Sequence, residues 1–346
     1  MGKLEETLVF VDTFAKVHSV MEEFKGREVR LSYSGGSDSD DVLWLFRYLG
    51  YNIKSVIFDT GLEYQATWKH VKYMQDLGFD IEIIKPVKNI PNTVYHYGQP
   101  FLSKYVSDMI QRLQYNHFDF RNDGWLEFEE AYLKYPHCKS VLYWWNNKNK
   151  SRSKNISWNR ALKEFLIEND GLPFPTSAHC CYNTKKLPSK QYARKNNVDL
   201  LMMGIRKAEG GTRATAYPSC FISNSVIYPY SLYLPLFWWK NEDKEMFDQE
   251  LGIKHSDCYD VYGMRRTGCP ACPFGKHYIE EIDSISKFEP KLSKAVINIF
   301  GDAYDWTNKY REYQKEHKVK GYYSSALIEE REKVRQERLS ETYENE

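Results

Sequence analysis

A glycine-rich turn between a strand pattern and a helix pattern is the feature that most constrains the fold of this chain. Residues 29–33 read as a short strand, and apolar side chains at helical spacing follow in residues 40–49. Glycines let a backbone approach phosphate oxygens, and the first N–H groups of a helix favour negative charge. This context predicts a phosphate-binding loop rather than an ordinary turn capped by Ser or Asp. The predicted loop consists of Ser34, Gly35, Gly36, Ser37, Asp38 and Ser39.

The side chains of this loop add hydrogen-bond donors and a carboxylate to the backbone N–H groups. The hydroxyls of Ser34, Ser37 and Ser39 are donors for phosphate oxygens, and Asp38 is a candidate for orienting a metal ion or water. The chain has no Gly-x-x-x-x-Gly-Lys-Ser/Thr sequence, so the loop is not a Walker loop.

Strand and helix patterns alternate along the first part of the chain. This alternation predicts an α/β fold with a doubly wound, mostly parallel sheet and right-handed crossovers. Predicted strands cover 29–33, 53–58, 81–84 and 198–204, and predicted helices cover 4–25, 40–49 and 64–77.

The middle of the chain, residues 95–170, is aromatic and polar and breaks the alternation, with helical pieces near 103–115 and 158–167. We therefore expect residues 1–94 and 171–285 to form a nucleotide-binding domain with a cysteine-bearing C-terminal region. We expect 95–170 to be a helical, aromatic-rich insertion. Residues 286–346 are expected to form a helical extension with a charged tail from about 325, and 255–275 to be loop-like.

The net charge of +1 excludes a polycationic protein, so any contact with nucleic acid must come from a local patch. The N-terminus lacks a secretory signal pattern, and no apolar run reaches the length of a membrane span. We expect a cytoplasmic protein without membrane contact. In such a reducing compartment, the seven cysteines favour metal or redox chemistry over disulfides.

Two downstream segments fit nucleotide binding. Asp59-Thr60-Gly61-Leu62-Glu63 follows the second strand, where an acid can reach a ribose or adenine edge, although a helix cap is the alternative. The segment 204–213 begins with Gly204 and carries Arg206 and Arg213. Guanidinium groups bind oxyanions through two hydrogen bonds, so these arginines suit phosphate or sulfate, unless they pair with Glu209 at the surface.

The chain resembles the phosphoadenosine phosphosulfate reductase family of PP-loop ATP pyrophosphatases. The resemblance rests on three motifs in this order: Ser-Gly-Gly-x-Asp-Ser, Asp-Thr-Gly-x-Glu and Gly-x-Arg-x-x-Glu-x-x-x-Arg. The resemblance spans about residues 25–280 and implies an adenine nucleotide alpha hydrolase-like fold that binds ATP and Mg²⁺. It implies cofactor contacts at residues 34–39, 59–61, Gly204 and Arg206, with catalytic roles for Asp38, Arg206 and Arg213. Family members commonly carry Lys where this chain has Ser37, which removes one positive charge from the loop.

Four cysteines form the next signal: Cys180 and Cys181 are adjacent, and Cys269 and Cys272 form a Cys-x-x-Cys pair. Four thiolates can hold a [4Fe–4S] cluster, and zinc is the alternative metal. The pattern resembles that of the cluster-bearing adenylylsulfate reductases. Cys258 is close enough in sequence to replace one of the adjacent pair, and inert buried thiols remain an alternative. Cys138 and Cys220 are predicted to be structural.

No cysteine follows Cys272, although sulfonucleotide reductases attack sulfate with a cysteine near the C-terminus. The chain resembles instead the cluster-bearing ATP-pyrophosphatase subunits of DNA phosphorothioation systems. That resemblance implies cleavage of ATP to AMP and pyrophosphate for sulfur transfer, with a sulfur-donor protein such as a cysteine desulfurase. The alternatives are a reductase-like enzyme with an unusual nucleophile and a non-catalytic nucleotide-sensing or scaffolding protein.

Residues 139–163 contain no acidic side chain. Cations interleaved with aromatic rings fit a nucleic-acid backbone and unpaired bases, whereas inward-packed tryptophans in a solvated basic loop are the alternative. The cations are Lys139, Lys148, Lys150, Arg152, Lys154, Arg160 and Lys163, and the rings are Tyr143, Trp144, Trp145 and Trp158.

Overall fold

Six strands form one sheet in the order β3-β2-β1-β4-β6-β5. All neighbouring pairs are parallel except β5 and β6, which are antiparallel. This arrangement confirms the predicted mostly parallel sheet. The strands are β1 (Val29–Ser32), β2 (Lys54–Phe58), β3 (Ile81–Ile84), β4 (Leu200–Met203), β5 (Phe221–Ile222) and β6 (Ser231–Tyr233).

The computed structural model describes residues 3–210, 215–224 and 229–317. Arg213 and the charged tail from about 325 therefore lie outside the described residues. No helix in these ranges is long and apolar enough to cross a membrane. The α-helices, in chain order, are α1 (Leu8–Glu23), α2 (Ser37–Tyr48), α3 (Gln65–Asp76), α4 (Ile90–Tyr97), α5 (Lys104–Tyr115), α6 (Phe120–Asp123), α7 (Phe128–Lys134), α8 (Lys139–Trp145), α9 (Leu162–Glu168), α10 (His179–Cys181), α11 (Leu187–Lys195), α12 (Asn241–Leu251), α13 (Asp257–Asp260), α14 (Tyr278–Phe288) and α15 (Pro290–Glu316).

Both faces of the sheet are covered, as a doubly wound fold requires. Along β4, Leu200 and Met202 belong to a core that includes residues of α1, α2, α3 and α12. The alternate residues Leu201 and Met203 belong to a second core that includes Tyr192 of α11. Because successive side chains of a strand point to opposite faces, the continuous apolar run of β4 is explained by burial on both sides.

The chain divides into two compact units. The first contains residues 1–96 and 179–299, including the whole sheet, and the second contains residues 97–178 together with the chain from 300 onward. The second unit has its own apolar core, in which Trp144, Trp145 and Phe165 are fully buried. The helix α15 contributes residues to both units.

The strand order reverses between β1 and β4. From β1 the chain proceeds to β2 and β3 on one side, and it returns to β4 and β6 on the other. Such a point of reversal is where open α/β sheets bind ligands. The predicted phosphate loop leaves β1 at this point. The helix α2 begins at Ser37, earlier than the expected residue 40, because Gly36 serves as its extended N-cap.

Candidate functional site

The predicted phosphate loop is a closed turn held by its own hydroxyls. Gly35 has φ +68°, a left-handed conformation that favours glycine. The Ser39 hydroxyl donates to the Gly36 carbonyl oxygen at 2.7 Å, and Ser34 Oγ lies 3.1 Å from Ser39 Oγ. The Gly36 N–H donates to Ser34 Oγ at 3.3 Å. Two of the three predicted phosphate donors therefore also stabilise the turn itself.

Gly204, which follows β4, packs directly against the start of α2. A Cβ atom at this position would lie 2.5 Å from the Asp38 carbonyl oxygen and 2.8 Å from the Ser39 nitrogen. Only a glycine lets the two backbones approach this closely. Gly204 is thus placed at the phosphate loop, as the motif order predicts, and its role there is close packing.

Asp38 and Arg206 are brought together. Arg206 Nε donates to Asp38 Oδ1 at 2.8 Å, and Arg206 Nη1 donates to Asn241 Oδ1 at 2.9 Å. Both members of the ion pair are largely buried, with side-chain exposures of 10% for Arg206 and 16% for Asp38. The guanidinium therefore lies at the N-terminal end of α2. Asn241, the first residue of α12, escapes detection from sequence because no motif marks it.

Tyr259 and Thr267 also face the loop, and the sequence analysis missed both. The Tyr259 hydroxyl oxygen accepts hydrogen bonds from the Ser37 N–H at 2.9 Å and the Thr267 N–H at 3.4 Å. Thr267 Oγ1 is buried, has no hydrogen-bond partner among the described residues, and would lie 2.8 Å from a Cβ at Gly36. Both residues come from the segment 255–275, which reads from sequence as a featureless loop.

The turn after β2 is held by internal hydrogen bonds. Asp59 Oδ1 accepts from the Gly61 N–H at 2.9 Å, and both the N–H and the hydroxyl of Thr60 donate to Glu63. Burial raises the pKa of Glu63 despite these hydrogen bonds. Because β2 lies beside β1, this turn and the phosphate loop share the carboxyl edge of the sheet.

Four of the seven thiols influence one another electrostatically. The Cys180 and Cys181 thiols are hydrogen-bonded, and this contact, burial, and the nearby Cys272 and Cys269 sulfurs raise the pKa of Cys180. Burial and the Cys269 sulfur raise the pKa of Cys272 to about 12. The two cysteine pairs, far apart in sequence, are therefore electrostatic neighbours. No three thiol sulfurs lie within 4.8 Å of one another in the part of the chain that the structure describes.

Lys185 is a further residue that the sequence analysis missed. The π-helical turn Tyr182–Lys186 follows α10 and carries this side chain to Cys269, to which it is hydrogen-bonded. The Cys269 sulfur, and then Glu63 and Cys181, raise the pKa of Lys185 against the opposing effect of burial. A single cation therefore lies between the thiol group and the turn after β2.

The remaining cysteines lie elsewhere. Cys258 is fully buried, and its sulfur lies 3.7 Å from Thr67 Oγ1 on α3. Burial raises the pKa of the Cys258 thiol, against the opposing effect of hydrogen bonds with Ser256 and Thr67. Cys138 is buried in the core of the second unit, and Cys220 packs against the core that contains Tyr192.

The basic segment 139–163 belongs to the second unit. The expectation of four interleaved stacking rings is wrong for two of them, because Trp144 and Trp145 are fully buried in the apolar core. Tyr143 stacks on Phe128, with ring centroids 4.7 Å apart. Trp158, by contrast, is 62% exposed. The cations Lys139, Lys148, Lys150, Arg152 and Lys154 are exposed.

No protein-family model matches the chain. An uncharacterized protein of Methanocaldococcus jannaschii is 23% identical over 306 residues, which cover 88% of this chain and 45% of that protein. The chain thus spans less than half the length of this curated relative.

Solved structures with a similar backbone arrangement include a phosphoadenylyl-sulfate reductase from Candida auris in complex with phosphate, which is 13% identical with a TM-score of 0.42, over 77% of this chain and 92% of that one. The U34-tRNA thiolase NcsA from Methanococcus maripaludis, with its [4Fe-4S] cluster, is 13% identical with a TM-score of 0.37. The match covers 89% of this chain and 79% of the thiolase chain.

An NH3-dependent NAD synthetase from Campylobacter jejuni, in complex with nitrate, is 12% identical with a TM-score of 0.34. The match covers 87% of this chain and 95% of the synthetase chain. Because these similarities are low, function is inferred below from the side-chain contacts of this chain.

The contact at Gly204 leads to a first prediction. In Gly204→Ala the added methyl must push α2 away from β4, and we expect a loss of roughly 1–3 kcal/mol in stability, as is typical of overpacking. Gly301→Ala is the matched control, since a Cβ there meets open space within α15. Thermal and denaturant unfolding of both variants measure the effect. Equal stability of the two variants would contradict the close packing.

Proposed function

We propose that the chain is a PP-loop nucleotide-alpha hydrolase that cleaves ATP to AMP and pyrophosphate and so activates an acceptor for sulfur transfer. The observation that carries the proposal is the position of the glycine loop at the reversal point of the sheet, with Arg206 at the start of α2. Four thiols that influence one another electrostatically, linked by Lys185 to the turn after β2, point to sulfur chemistry at the same edge.

The loop suits the pyrophosphate portion of ATP. The positive end of the α2 dipole and the backbone N–H groups favour anionic oxygens. The Ser37 N–H already donates to an oxygen, that of Tyr259, so an anionic oxygen in that place would find the same donor. A guanidinium carries five N–H donors, and Asp38 and Asn241 engage two of those of Arg206. The remaining donors supply positive charge for a phosphate.

The proposed reaction places the attacking group on the substrate. An oxygen of the acceptor attacks the α-phosphorus of ATP, the bond from that phosphorus to the bridging oxygen breaks, and pyrophosphate leaves. The terminal sulfur of a persulfide on a donor protein such as a cysteine desulfurase then displaces AMP from the adenylated acceptor. A thiol reductant attacks the donor sulfur of the resulting disulfide, so that the acceptor keeps its sulfur as a thiolate and the thiol forms a disulfide with the donor. The protein contributes positioning and charge stabilisation of the departing pyrophosphate. Mg²⁺ would bind mainly to the phosphates, with Asp38 and Asp59 as carboxylates at this edge.

The thiol group fits a [4Fe–4S] cluster better than zinc. Tetrahedral zinc with bonds of about 2.3 Å requires its sulfurs to be about 3.8 Å apart. No three thiol sulfurs of the described chain are even within 4.8 Å of one another. Cys180, Cys181, Cys269 and Cys272 would hold the cluster, and Lys185 would offset part of its negative charge. When bound, such a cluster supplies electron-transfer chemistry tuned by charge and by hydrogen bonds to its sulfurs.

Nucleic acid is the acceptor that the second unit supports. Lys148, Lys150, Arg152 and Lys154 are exposed in a segment without acidic residues, and the exposed ring of Trp158 follows them. Exposed cations fit a phosphate backbone, and an exposed indole can stack on an unpaired base.

We expect the purified protein to convert ATP to AMP and pyrophosphate when its acceptor is present. Gly36→Val should lower ATP affinity by about tenfold or more, equivalent to about 1.4 kcal/mol, because its side chain meets Thr267 and Tyr259. Ser37→Lys should raise the affinity by about tenfold, since it adds one charge-assisted hydrogen bond to phosphate. Calorimetry and chromatography of the nucleotides provide the measurements.

Three outcomes would reject the proposed reaction. Unchanged ATP affinity in both variants would remove the loop from nucleotide binding. Binding without any AMP would support a nucleotide sensor, and release of sulfite from a sulfonucleotide would support a reductase.

Protein purified without oxygen should contain about four irons per chain. Cys181→Ser should lose this iron because it removes one of the four thiols that would hold the cluster. Cys258→Ser is the matched control, since Cys258 lies against Thr67, and it should keep the iron. Metal analysis and visible absorption provide the measurements. Stoichiometric zinc without iron would refute the cluster.

Binding to single-stranded nucleic acid should weaken steeply with salt. Four phosphate contacts give a log–log slope of about −3 on a single strand, and glutamate at Lys148, Lys150, Arg152 and Lys154 should flatten it. Trp158→Ala should cost roughly 1–3 kcal/mol of binding. Trp144→Ala, at a buried ring, should instead cost roughly 3–5 kcal/mol of stability. Undiminished binding by the glutamate variant, measured by fluorescence anisotropy, would identify the segment as a solvated loop.

A further inference from the structure

A second group of charged side chains lies along α2, and the proposed reaction does not use it. It combines carboxylates from α2 with side chains from α3, α12 and the segment that joins α12 to α13, all within the first unit. The group consists of Asp40, Asp41, His70, Lys244, Asp248 and His255.

Asp40 orients the ring of His255. The Asp40 carboxylate is fully buried, and its Oδ2 accepts from His255 Nδ1 at 2.9 Å and from His70 Nε2 at 2.8 Å. A histidine whose Nδ1–H donates to a carboxylate presents Nε2 as a ligand atom, and metal-binding histidines are commonly held in this way.

The Nε2 atom of His255 faces two further carboxylates. It lies 3.1 Å from Asp248 Oδ2 and 3.7 Å from Asp41 Oδ1. One ligand atom from each of Asp41, Asp248 and His255 lies within 4.8 Å of those from the other two, a spacing that one metal ion can span. Among the described residues, no other trio of His, Cys, Asp or Glu has this arrangement.

Two buried oxygens in this group have no hydrogen-bond partner among the described residues, namely Asp41 Oδ1 and Asp248 Oδ1. The Asp41 side chain is 0% exposed, so bulk solvent does not reach this oxygen. A buried polar atom without a partner costs free energy. The Asp41 oxygen without a hydrogen-bond partner, Oδ1, is the one that faces His255 Nε2. A cation bound to this oxygen would therefore lie among the ligand atoms of Asp41, Asp248 and His255.

Lys244 pairs with one oxygen of each carboxylate but leaves both Oδ1 atoms without a partner among the described residues. Its Nζ lies 2.6 Å from Asp41 Oδ2, 2.9 Å from Asp248 Oδ2 and 3.2 Å from His255 Nε2. One ammonium thus lies against two carboxylates, those of Asp41 and Asp248. A divalent ion bound beside a neutral His255 would balance the two negative charges that Lys244 leaves among the three carboxylates of the group, and the Asp41 and Asp248 Oδ1 oxygens would be its ligands.

We propose that Asp41, Asp248 and His255 form a binding site for a divalent metal ion of the Mn²⁺ class, which joins α2 to α12. Two carboxylates and one imidazole suit such an ion, whereas the softer thiolates of the four cysteines select zinc or iron–sulfur clusters. The site does not depend on nucleotide, because its ligands lie on the protein alone. Lys244 opposes the metal ion through its positive charge and limits the affinity of the site.

The test is a titration of the full chain with Mn²⁺ in the absence of nucleotide, followed by electron paramagnetic resonance. We expect one Mn²⁺ per chain, with a nitrogen coupling from imidazole in the pulsed spectrum. Asp248→Asn and His255→Gln should each raise the Kd at least tenfold, and His255→Gln should remove the nitrogen coupling. Glu245→Gln is the matched control, because it removes an exposed carboxylate from the same helix and should leave the Kd unchanged. Lys244→Met should lower the Kd severalfold.

The wild-type spectrum alone can overturn the proposal, which keeps the test valid even if a variant fails to fold. Less than one Mn²⁺ per chain at millimolar ion, or bound Mn²⁺ without nitrogen coupling, would reject the site. Stoichiometric binding that survives unchanged in folded Asp248→Asn and His255→Gln would place the ion elsewhere. A failure of ATP turnover leaves these outcomes unaffected, so the two proposals are tested separately.

Discussion

The contact between Gly204 and the backbone of Asp38 sets the position of α2, because a Cβ at residue 204 would lie 2.5 Å from the Asp38 carbonyl oxygen. Through this contact the first turn of α2 lies between the carboxyl ends of β1 and β4, where the chain order reverses. Arg206 follows two residues later and therefore meets Asp38 at short range. Packing of backbone against backbone thus brings the anion-binding end of a helix and a buried arginine to one place.

The first turns of α2 carry three carboxylates, and each is met by a basic side chain from another part of the first unit. Arg206 pairs with Asp38, His70 and His255 pair with Asp40, and Lys244 pairs with Asp41. Acidic side chains near a helix N-terminus are favoured by the helix dipole. Removing one partner of a buried pair is strongly destabilising, because it leaves a charge without compensation. These pairs hold the start of α2 in position.

The surroundings of the four thiols are shaped by the π-helical turn Tyr182–Lys186. This turn follows the adjacent cysteines and directs Lys185 to Cys269, so that one cation joins two segments that are distant in sequence. π-Helical turns are uncommon and are often found at functional sites. Glu63, at the turn after β2, also lies near Lys185. Lys185 thereby connects the thiol group to the turn after β2.

The sequence alone determined the mostly parallel sheet and the glycine turn between β1 and α2, because strand periodicity and glycine are local signals. The strands β5 and β6 were missed because two or three residues are too few to show a period. Tertiary structure alone decided that Trp144 and Trp145 are core residues while Trp158 is exposed, since burial depends on which elements pack together. It also decided that Cys258 lies apart from the other thiols, and that Tyr259, Thr267, Lys185 and Asn241 reach the site. These residues carry no motif, and only the folded chain brings them to the loop and the cysteines.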